Sequence, residues 1–353
     1  MFSPRFSITN KVLTSIAKIE AAKEIIENSP LIPAWEVRFR EDALVRSAHH
    51  GTHIEGNPLR EKDVKAVLDG REVPARGRDI QEILNYREVL KFIDSWVKEN
   101  KEKKIIENLI VKIHFLSLNK ILPPSDLGRY RNVQAVVKNS LNKEVTFVPP
   151  DPWKITSLMK EFIGWLNSVS PDNLNPVLKA GIAHYILVAI HPFVDGNGRT
   201  ARALATLILY KEGYDFKKFF ALEEYYDREA EGYFAILQKT SRSKPDLFER
   251  DLTEWLTYFT EGLAIEIGKV KNEVLELSKD LKIKRKMGQI ALNERQVRLV
   301  EYIQDYGQIS NKEWRGLIHF VSEDTILRDL KDLMNKGLIR KKGSTKAAVY
   351  LLR

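Results

Sequence analysis

The sequence predicts a mainly α-helical fold: a helical body interrupted by one β-hairpin, then a small C-terminal domain of three helices and a second hairpin. Three observations carry this. Apolar residues recur at helical spacing over most of residues 10–278. Two-residue alternation appears in that stretch only around 133–148. Basic charge gathers at the C-terminal end. At 353 residues and 40.8 kDa the chain is longer than one compact domain usually needs.

The first helix follows Thr9, a plausible N-cap, with Val12, Leu13, Ile16, Ile19, Ala22 and Ile26 at helical spacing, and it stops near Pro30. A second stretch carries Trp35, Val37, Phe39, Leu44 and Val45 and closes at Gly56-Asn57-Pro58. Helical spacing resumes over 78–98 and 105–122. Residues 133–137 and 145–148 alternate around the turn-rich 138–143 and read as a hairpin ended by Pro149-Pro150. Helices follow over 153–166, 176–190, 198–213, 228–239 and 246–278, and the charged stretch 279–288, with Lys282, Lys284, Arg285 and Lys286, predicts a linker. Asn293 then opens a helix bearing Val297, Leu299, Val300, Ile303 and Tyr306, ended by Gly307. A short helix over 311–317, a third helix capped by Ser322 and running to Lys336, and strands at 339–342 and 347–351 around Gly343-Ser344 complete the chain.

Composition narrows the function classes. The apolar share of 43% and charged share of 30% suit a folded soluble chain, and Gly 18 with Pro 14 leaves little room for low complexity. A collagen, a coiled-coil rod and a disordered tail protein are excluded. The longest nearly uncharged apolar run, Ala180 to Ile190, contains His184 and falls far short of the ~20 residues a membrane span needs. Residues 1–9 hold no apolar stretch of signal-peptide length and the chain has no cysteine, so disulfides and thiolate chemistry are excluded and a cytoplasmic protein is expected. Of the +9 net charge nearly all lies in residues 281–353, which hold 16 Lys and Arg against eight Asp and Glu. That is the footprint of a nucleic-acid contact or of a solvated basic face.

Chemistry concentrates in one run, His191-Pro192-Phe193-Val194-Asp195-Gly196-Asn197-Gly198-Arg199-Thr200-Ala201-Arg202. A helix ends at its His-Pro step and another begins near Gly198, while Gly196 and Gly198 let backbone N–H groups approach a ligand closely. The positive end of the second helix, with Arg199 and Arg202, suits a polyphosphate. Asp195 can hold the Mg2+ that accompanies one, and His191 is free to act as a general base. In-line attack on an α-phosphate needs a deprotonated nucleophile, a neutralised pyrophosphate and fixed geometry. One loop supplies all three.

This run resembles the signature of the Fic family, His-x-Phe-x-Asp/Glu-Gly-Asn-Gly-Arg-x-x-Arg, with every fixed position matched from His191 to Arg202. The resemblance extends over roughly 105–241, including the hairpin and Gly128-Arg129-Tyr130-Arg131. It implies an enzyme that moves AMP from ATP to a Ser, Thr or Tyr hydroxyl of a protein. His191 then deprotonates the acceptor and Asp195 binds Mg2+. Gly196, Asn197 and Gly198 cradle the phosphates, and Arg199 and Arg202 contact the β- and γ-phosphates. The hairpin at 133–148 corresponds to the family's flap, which docks a segment of the protein substrate in extended form. Tyr233 matches an aromatic near the nucleoside, a reading that competes with an ordinary core aromatic. Relatives that transfer phosphate, the Doc toxins, carry Lys where Gly198 stands, which favours adenylyl transfer.

The resemblance also implies regulation. In many Fic proteins a helix with Ser/Thr-x-x-x-Glu-Gly/Asn sends its glutamate into the nucleotide site to pair with the last arginine of the signature. His53-Ile54-Glu55-Gly56-Asn57 fits the end of that pattern, so Glu55 is expected to pair with Arg202 and inhibit the enzyme. Gly51 departs from it, standing where Ser or Thr is expected, with Thr52 one position later; loss of the hydroxyl predicts weaker inhibition. His49 and His53 share one helical face, and His184 shares one with His191, but neither pair has a third ligand at zinc spacing. No zinc site is expected, and His184 is assigned to the core.

The three helices and hairpin of 289–353 resemble winged helix-turn-helix domains. In such a fold Thr325, Arg328 and Lys331 face the major groove while Arg340, Lys341, Lys342 and Lys346 approach phosphates. A protein-docking or dimerising module is the alternative. The expected division is an N-terminal helical region with the inhibitory helix (1–104), a Fic catalytic core (105–245), a helical connector and linker (246–288) and a winged-helix domain (289–353). The leading reading is an adenylyltransferase using ATP and Mg2+, autoinhibited by Glu55. A protein substrate on the 133–148 flap, self-modification, a homodimer and DNA contact through 289–353 are further expectations. Two other classes stay open: a nucleotide-sensing DNA-binding regulator, against which the intact base His191 speaks, and an enzyme that removes AMP with Glu55 positioning water.

Overall fold

The structure, a computed structural model, describes residues 2–29, 31, 33–100, 102–138, 145–289, 292–318, 321–343 and 348–352. Its contacts divide the chain into two units, Met1–Asn28 with Ile32–Asn272, and Glu273–Arg353 with Ser29–Leu31. The first unit runs α1 (Asn10–Asn28), α2 (Pro33–His53), α3 (Glu61–Leu68), α4 (Gly77–Asn100), α5 (Glu107–Leu118), the hairpin β1 (Val137–Lys138) and β2 (Val145–Phe147), then α6 (Ile155–Ser168), α7 (Pro176–Ile190), α8 (Asn197–Lys211), α9 (Leu222–Arg228) and α10 (Ala230–Arg242). α11 (Thr253–Gln289) begins in this unit.

All of α7 except Val188 is buried, because its sequence is apolar all round rather than along one stripe. Pro176 opens it, and the side chain of Asn175 accepts the Val177 N–H. Gly181 permits the approach of α11: a Cβ there would lie 2.9 Å from Phe259, and Trp255 Nε1 donates to Gly181 O at 2.7 Å. α8 packs on α7, and α2, α4 and α5 cover α8. The N-terminal helices therefore share a unit with the expected core. Val45, Ala48, Val64, Ile83 and Tyr86 form one of its buried clusters.

The structure departs from the sequence reading at several elements. Among the described residues the hairpin ladder joins Val137 to Phe147 and Lys138 to Val145. Upstream, side chains hold the chain instead: Gln134 Nε2 donates to Pro149 O at 2.9 Å and Arg131 Nη2 to Pro150 O at 2.5 Å. Most of the expected turn lies outside the described residues. α3 and α9 were not predicted, since eight and seven residues are too short to display a helical period. The expected linker 279–288 is the last part of α11; it has no Pro, and Lys, Leu, Arg and Met are good helix formers.

The second unit contains α12 (Glu294–Tyr306), β3 (Ile309–Ser310), α13 (Asn311–Leu317), α14 (Glu323–Asn335), β4 (Ile339–Lys342) and β5 (Val349–Leu352). The sheet order β3-β5-β4 adds a third strand to the expected hairpin. Capping boxes at Asn293 with Gln296 and at Ser310 with Glu313 start α12 and α13. Ser322 makes no such bond; its hydroxyl pairs with that of Thr325 at 2.9 Å. Leu299, Ile303, Trp314, Leu330 and Tyr350 fill the core. Among the described residues no helix is long and apolar enough to cross a membrane.

Candidate active site

α7 ends at His191, which caps it in a left-handed conformation, φ 53° and ψ 56°. Such backbone costs a non-glycine residue of order 1–3 kcal/mol and must be held by its surroundings. Arg131 does this, donating Nε to His191 O and its own N–H to Pro192 O, both at 2.8 Å. The His191 Nδ1 faces Val188 O at 3.2 Å. Donating there, the neutral ring carries its proton on Nδ1 and leaves Nε2 as acceptor. Burial lowers the His191 pKa; the Val188 bond opposes this, and Arg131 adds to the lowering. The ring is in its base form at neutral pH.

The loop from Pro192 to Gly196 is braced from within. Asn197 accepts the Phe193 N–H and donates to Phe193 O, both at 2.9 Å. Its side chain thus closes the loop instead of reaching a phosphate, while its backbone N–H stands at the start of α8. Phe193 stacks on His114 at 3.8 Å. His114 Nδ1 accepts the Gly128 N–H, which leaves Nε2–H to donate to Asp195 O, each at 3.1 Å. Burial pushes the His114 pKa down to about 4, keeping it neutral. Gly196 has φ 76°, and a Cβ there would sit 2.6 Å from Leu118.

Arg199 and Arg202 follow on the first turns of α8, each 3% exposed. Arg202 Nη2 donates to Glu55 Oε1 at 2.7 Å and to Gly51 O at 3.0 Å. Arg199 Nη2 reaches Asp195 Oδ1 at 3.4 Å, and its Nη1 faces Glu82 at 3.5 Å. Arg199 Nε and Nη1 and Arg202 Nε nevertheless have no hydrogen-bond partner among the described residues. Buried donors without partners, beside a helix N-terminus, make a seat for a multiply charged anion. Glu55 occupies part of that seat: a Cβ on Gly198 would lie 2.6 Å from Glu55 Oε1 and 3.1 Å from Arg202 Nη1. Burial pushes the Glu55 carboxyl up, but the Arg202 and Arg199 guanidiniums outweigh it and hold the pKa below the ordinary value.

Asp195 stands at the lip, with 40% of its side chain exposed and Oδ1 accepting the Gly196 N–H at 2.6 Å. Among the described residues no three His, Asp or Glu gather to cage a metal. A lone carboxylate does fit Mg2+, which usually binds through one or two carboxylates together with substrate phosphates.

Residues 104–209 match the family model described as Fic/DOC. Through this stretch the chain is similar to the Fic/DOC family. A protein adenylyltransferase Fic of Nematostella vectensis is 34% identical over 188 residues, 52% of this chain and 42% of the relative. Another from Drosophila grimshawi is 34% identical over 180 residues, 50% of this chain and 35% of the relative. The chain thus spans less than half the length of these two relatives. The fold is similar to that of a Fic family protein from Desulfovibrio desulfuricans G20, with a TM-score of 0.64 at 22% identity, covering 100% of this chain and 98% of that one. A Fic domain-containing signaling protein from Bacteroides thetaiotaomicron gives 0.62 at 23% identity, covering 77% of this chain and 98% of that one.

Within the first unit Tyr233 lies elsewhere than the site suggested for it, while His184 is in the core as expected. Tyr233 does not line the open site as a nucleoside contact: it is 1% exposed, meets His184 Nε2 at 3.1 Å and stacks on Tyr226 at 4.8 Å. It is a core aromatic beside Arg202. His184 is fully buried against Trp255 at 4.9 Å, and burial pushes its pKa down to about 3. At Gly51 the structure supplies a reason for the missing hydroxyl. A Cβ there would lie 2.5 Å from the Tyr86 ring, whose own hydroxyl donates to Glu223 at 2.6 Å. Thr52 does not take over the role, since its hydroxyl returns to Ala48 O at 2.8 Å. Gly51 instead meets Arg202 through its carbonyl. Restoring the hydroxyl with Gly51→Thr forces Tyr86 aside and is expected to destabilise the fold by about 1–3 kcal/mol; an unchanged thermal midpoint would contradict the packing.

The segment that carries Glu55 is firmly mounted. Arg46 donates to Glu224 at 2.8 Å and Ser47 to Glu223 at 3.2 Å, and the His50 and His53 Nδ1 atoms meet Asp227 at 2.7 and 2.8 Å. His53 meets His50 across Asp227, and its ring also lies 5.4 Å from that of His49, on the face the sequence pointed to. Four residues that position the site, Glu82, Tyr86, His114 and Asp227, escaped the sequence reading. They lie far from the motif along the chain or in the unpredicted α9, and no local pattern marks them.

Proposed function

We propose that the chain is a protein adenylyltransferase, moving AMP from ATP to a protein hydroxyl and inhibited by Glu55. One observation carries the reading: a histidine with a free Nε2 stands at one end of a braced loop, and two buried guanidiniums with unpartnered donors stand at the other. His191 Nε2 accepts the proton of the acceptor hydroxyl, whose oxygen bonds to the α-phosphorus as the bond to pyrophosphate breaks. Arg199, Arg202 and the first N–H groups of α8 hold the departing pyrophosphate and stabilise the charge it gains. Asp195 would hold Mg2+, which neutralises phosphate charge when bound. The exposed Val133, Val136 and Val148 beside the hairpin suit an extended segment of the protein substrate. The names of the relatives support nucleotidyl transfer, and the absence of cysteine suits a cytoplasmic setting. The test is incubation with ATP labelled at the α or the γ position, with and without lysate, and mass mapping of AMP adducts on other proteins and on the chain itself. Incorporation of γ label without α label would overturn the reading.

For the second unit we propose duplex DNA as partner. Arg340, Lys341 and Lys342 are exposed along β4, as are Arg328 and Lys331 on α14, while Thr325 is half-buried and Lys346 lies outside the described residues. Phosphate contacts release counterions, so binding should weaken steeply with salt. In anisotropy titrations of the full chain, replacing Lys341 and Lys342 by Ala should weaken all sequences alike and lower the salt slope by about one for each phosphate no longer neutralised. If no duplex binds at low salt, the unit is a protein-docking or dimerising module.

A further inference from the structure

Outside the matched Fic domain, the second residue of α4 reaches the same site. Arg78 Nη2 lies 3.9 Å from Asp195 Oδ2, and its Nε lies 3.3 Å from Glu82 Oε1. Glu82 also faces Arg199 Nη1 at 3.5 Å, and Asp195 meets Arg199 Nη2 at 3.4 Å. Each carboxylate therefore stands between the same two guanidiniums. Glu82 is 8% exposed and fixed from the other side, its Oε2 accepting from Asn57 Nδ2 at 3.0 Å. It acts as a rigid post that aims Arg78 and Arg199. The Arg78 side chain itself is 58% exposed, so packing does not explain where it is held.

We propose that Arg78 is a further phosphate-binding residue of this site, and this rests on the nucleotide reading above. Two carboxylates now balance two guanidiniums. Once Asp195 shares a divalent cation, Arg78 and Arg199 lose that counter-charge, and the phosphate oxygens beside the cation replace it. A planar guanidinium fork suits such oxygens better than a point charge. Arg78 thus serves the β- and γ-phosphates and leaves the adenosine end alone.

The experiment is calorimetric titration of the full chain with ATP and Mg2+, and separately with AMP, in wild type, Arg78→Ala and Arg76→Ala. Arg76 is the control: an exposed neighbour paired with Asp79 at 2.8 Å and away from Asp195. Arg78→Ala should weaken ATP about tenfold, the loss of one charge-assisted hydrogen bond, with AMP affinity and thermal midpoint unchanged, and Arg76→Ala should match wild type. Equal loss for ATP and AMP, no loss for ATP, or an equal loss in Arg76→Ala would overturn the assignment. If wild type binds no ATP, the nucleotide reading itself falls, and Arg78 with it.

Discussion

His191→Ala should lower AMP transfer by about 10²–10⁴-fold, the range of a positioned general base, while ATP binding stays near wild type. The base acts on the acceptor hydroxyl, and the anion seat is built from α8, whose start is held by Asn197 and Phe193 without the imidazole. α-Labelled ATP measures the transfer and calorimetry the binding; wild-type transfer in the variant would remove His191 from the mechanism. The pH profile of the intact chain gives an independent reading. Burial lowers the His191 pKa below its ordinary 6.5. Nε2 is deprotonated above that lowered value, so activity persists as pH falls past 6.5 and is lost only below it.

Glu55→Gly should raise self-modification by about 5–150-fold, the range of coupling energies between sites. The carboxylate both occupies Arg202 at 2.7 Å and places negative charge over the first turn of α8. Its removal clears the seat for a phosphate. The gain is bounded, because Gly51 O still accepts from Arg202 in the variant. Labelled AMP on the chain itself is the measurement, with ATP binding confirmed in parallel; no rise would sink the inhibitory assignment.

Much of this site was legible because its residues are consecutive. The run from His191 to Arg202 encodes a helix end, a turn and a helix start in local terms, and the structure places them so. The pairing of Glu55 with Arg202 was also readable through the family pattern, although 147 positions separate them. What could not be read depends on packing between distant helices. Nothing around Tyr86 says that its ring fills the space over Gly51, and nothing around Glu82 says that it stands between two arginines. Tyr233 shows the opposite case: its motif-like neighbourhood left a ligand contact and a core aromatic both open, and burial beside His184 favours the core. In the second unit, β3 was invisible because two residues cannot display an alternation.

The turn that carries Glu55 is clamped at both ends. His53 is fixed on Asp227, and Asn57 holds Asp79 O and Glu82 while its Oδ1 accepts the Leu59 N–H. Only Ile54, Glu55 and Gly56 lie between these anchors. The carboxylate therefore leaves by rotating about its own side-chain bonds while the helix stays in place. Such a flip must break one ion pair but moves no backbone, whereas a departing helix is a collective motion of about microseconds to milliseconds. Relief of inhibition should then keep pace with every change in ATP concentration, and progress curves started by adding nucleotide should rise without a lag.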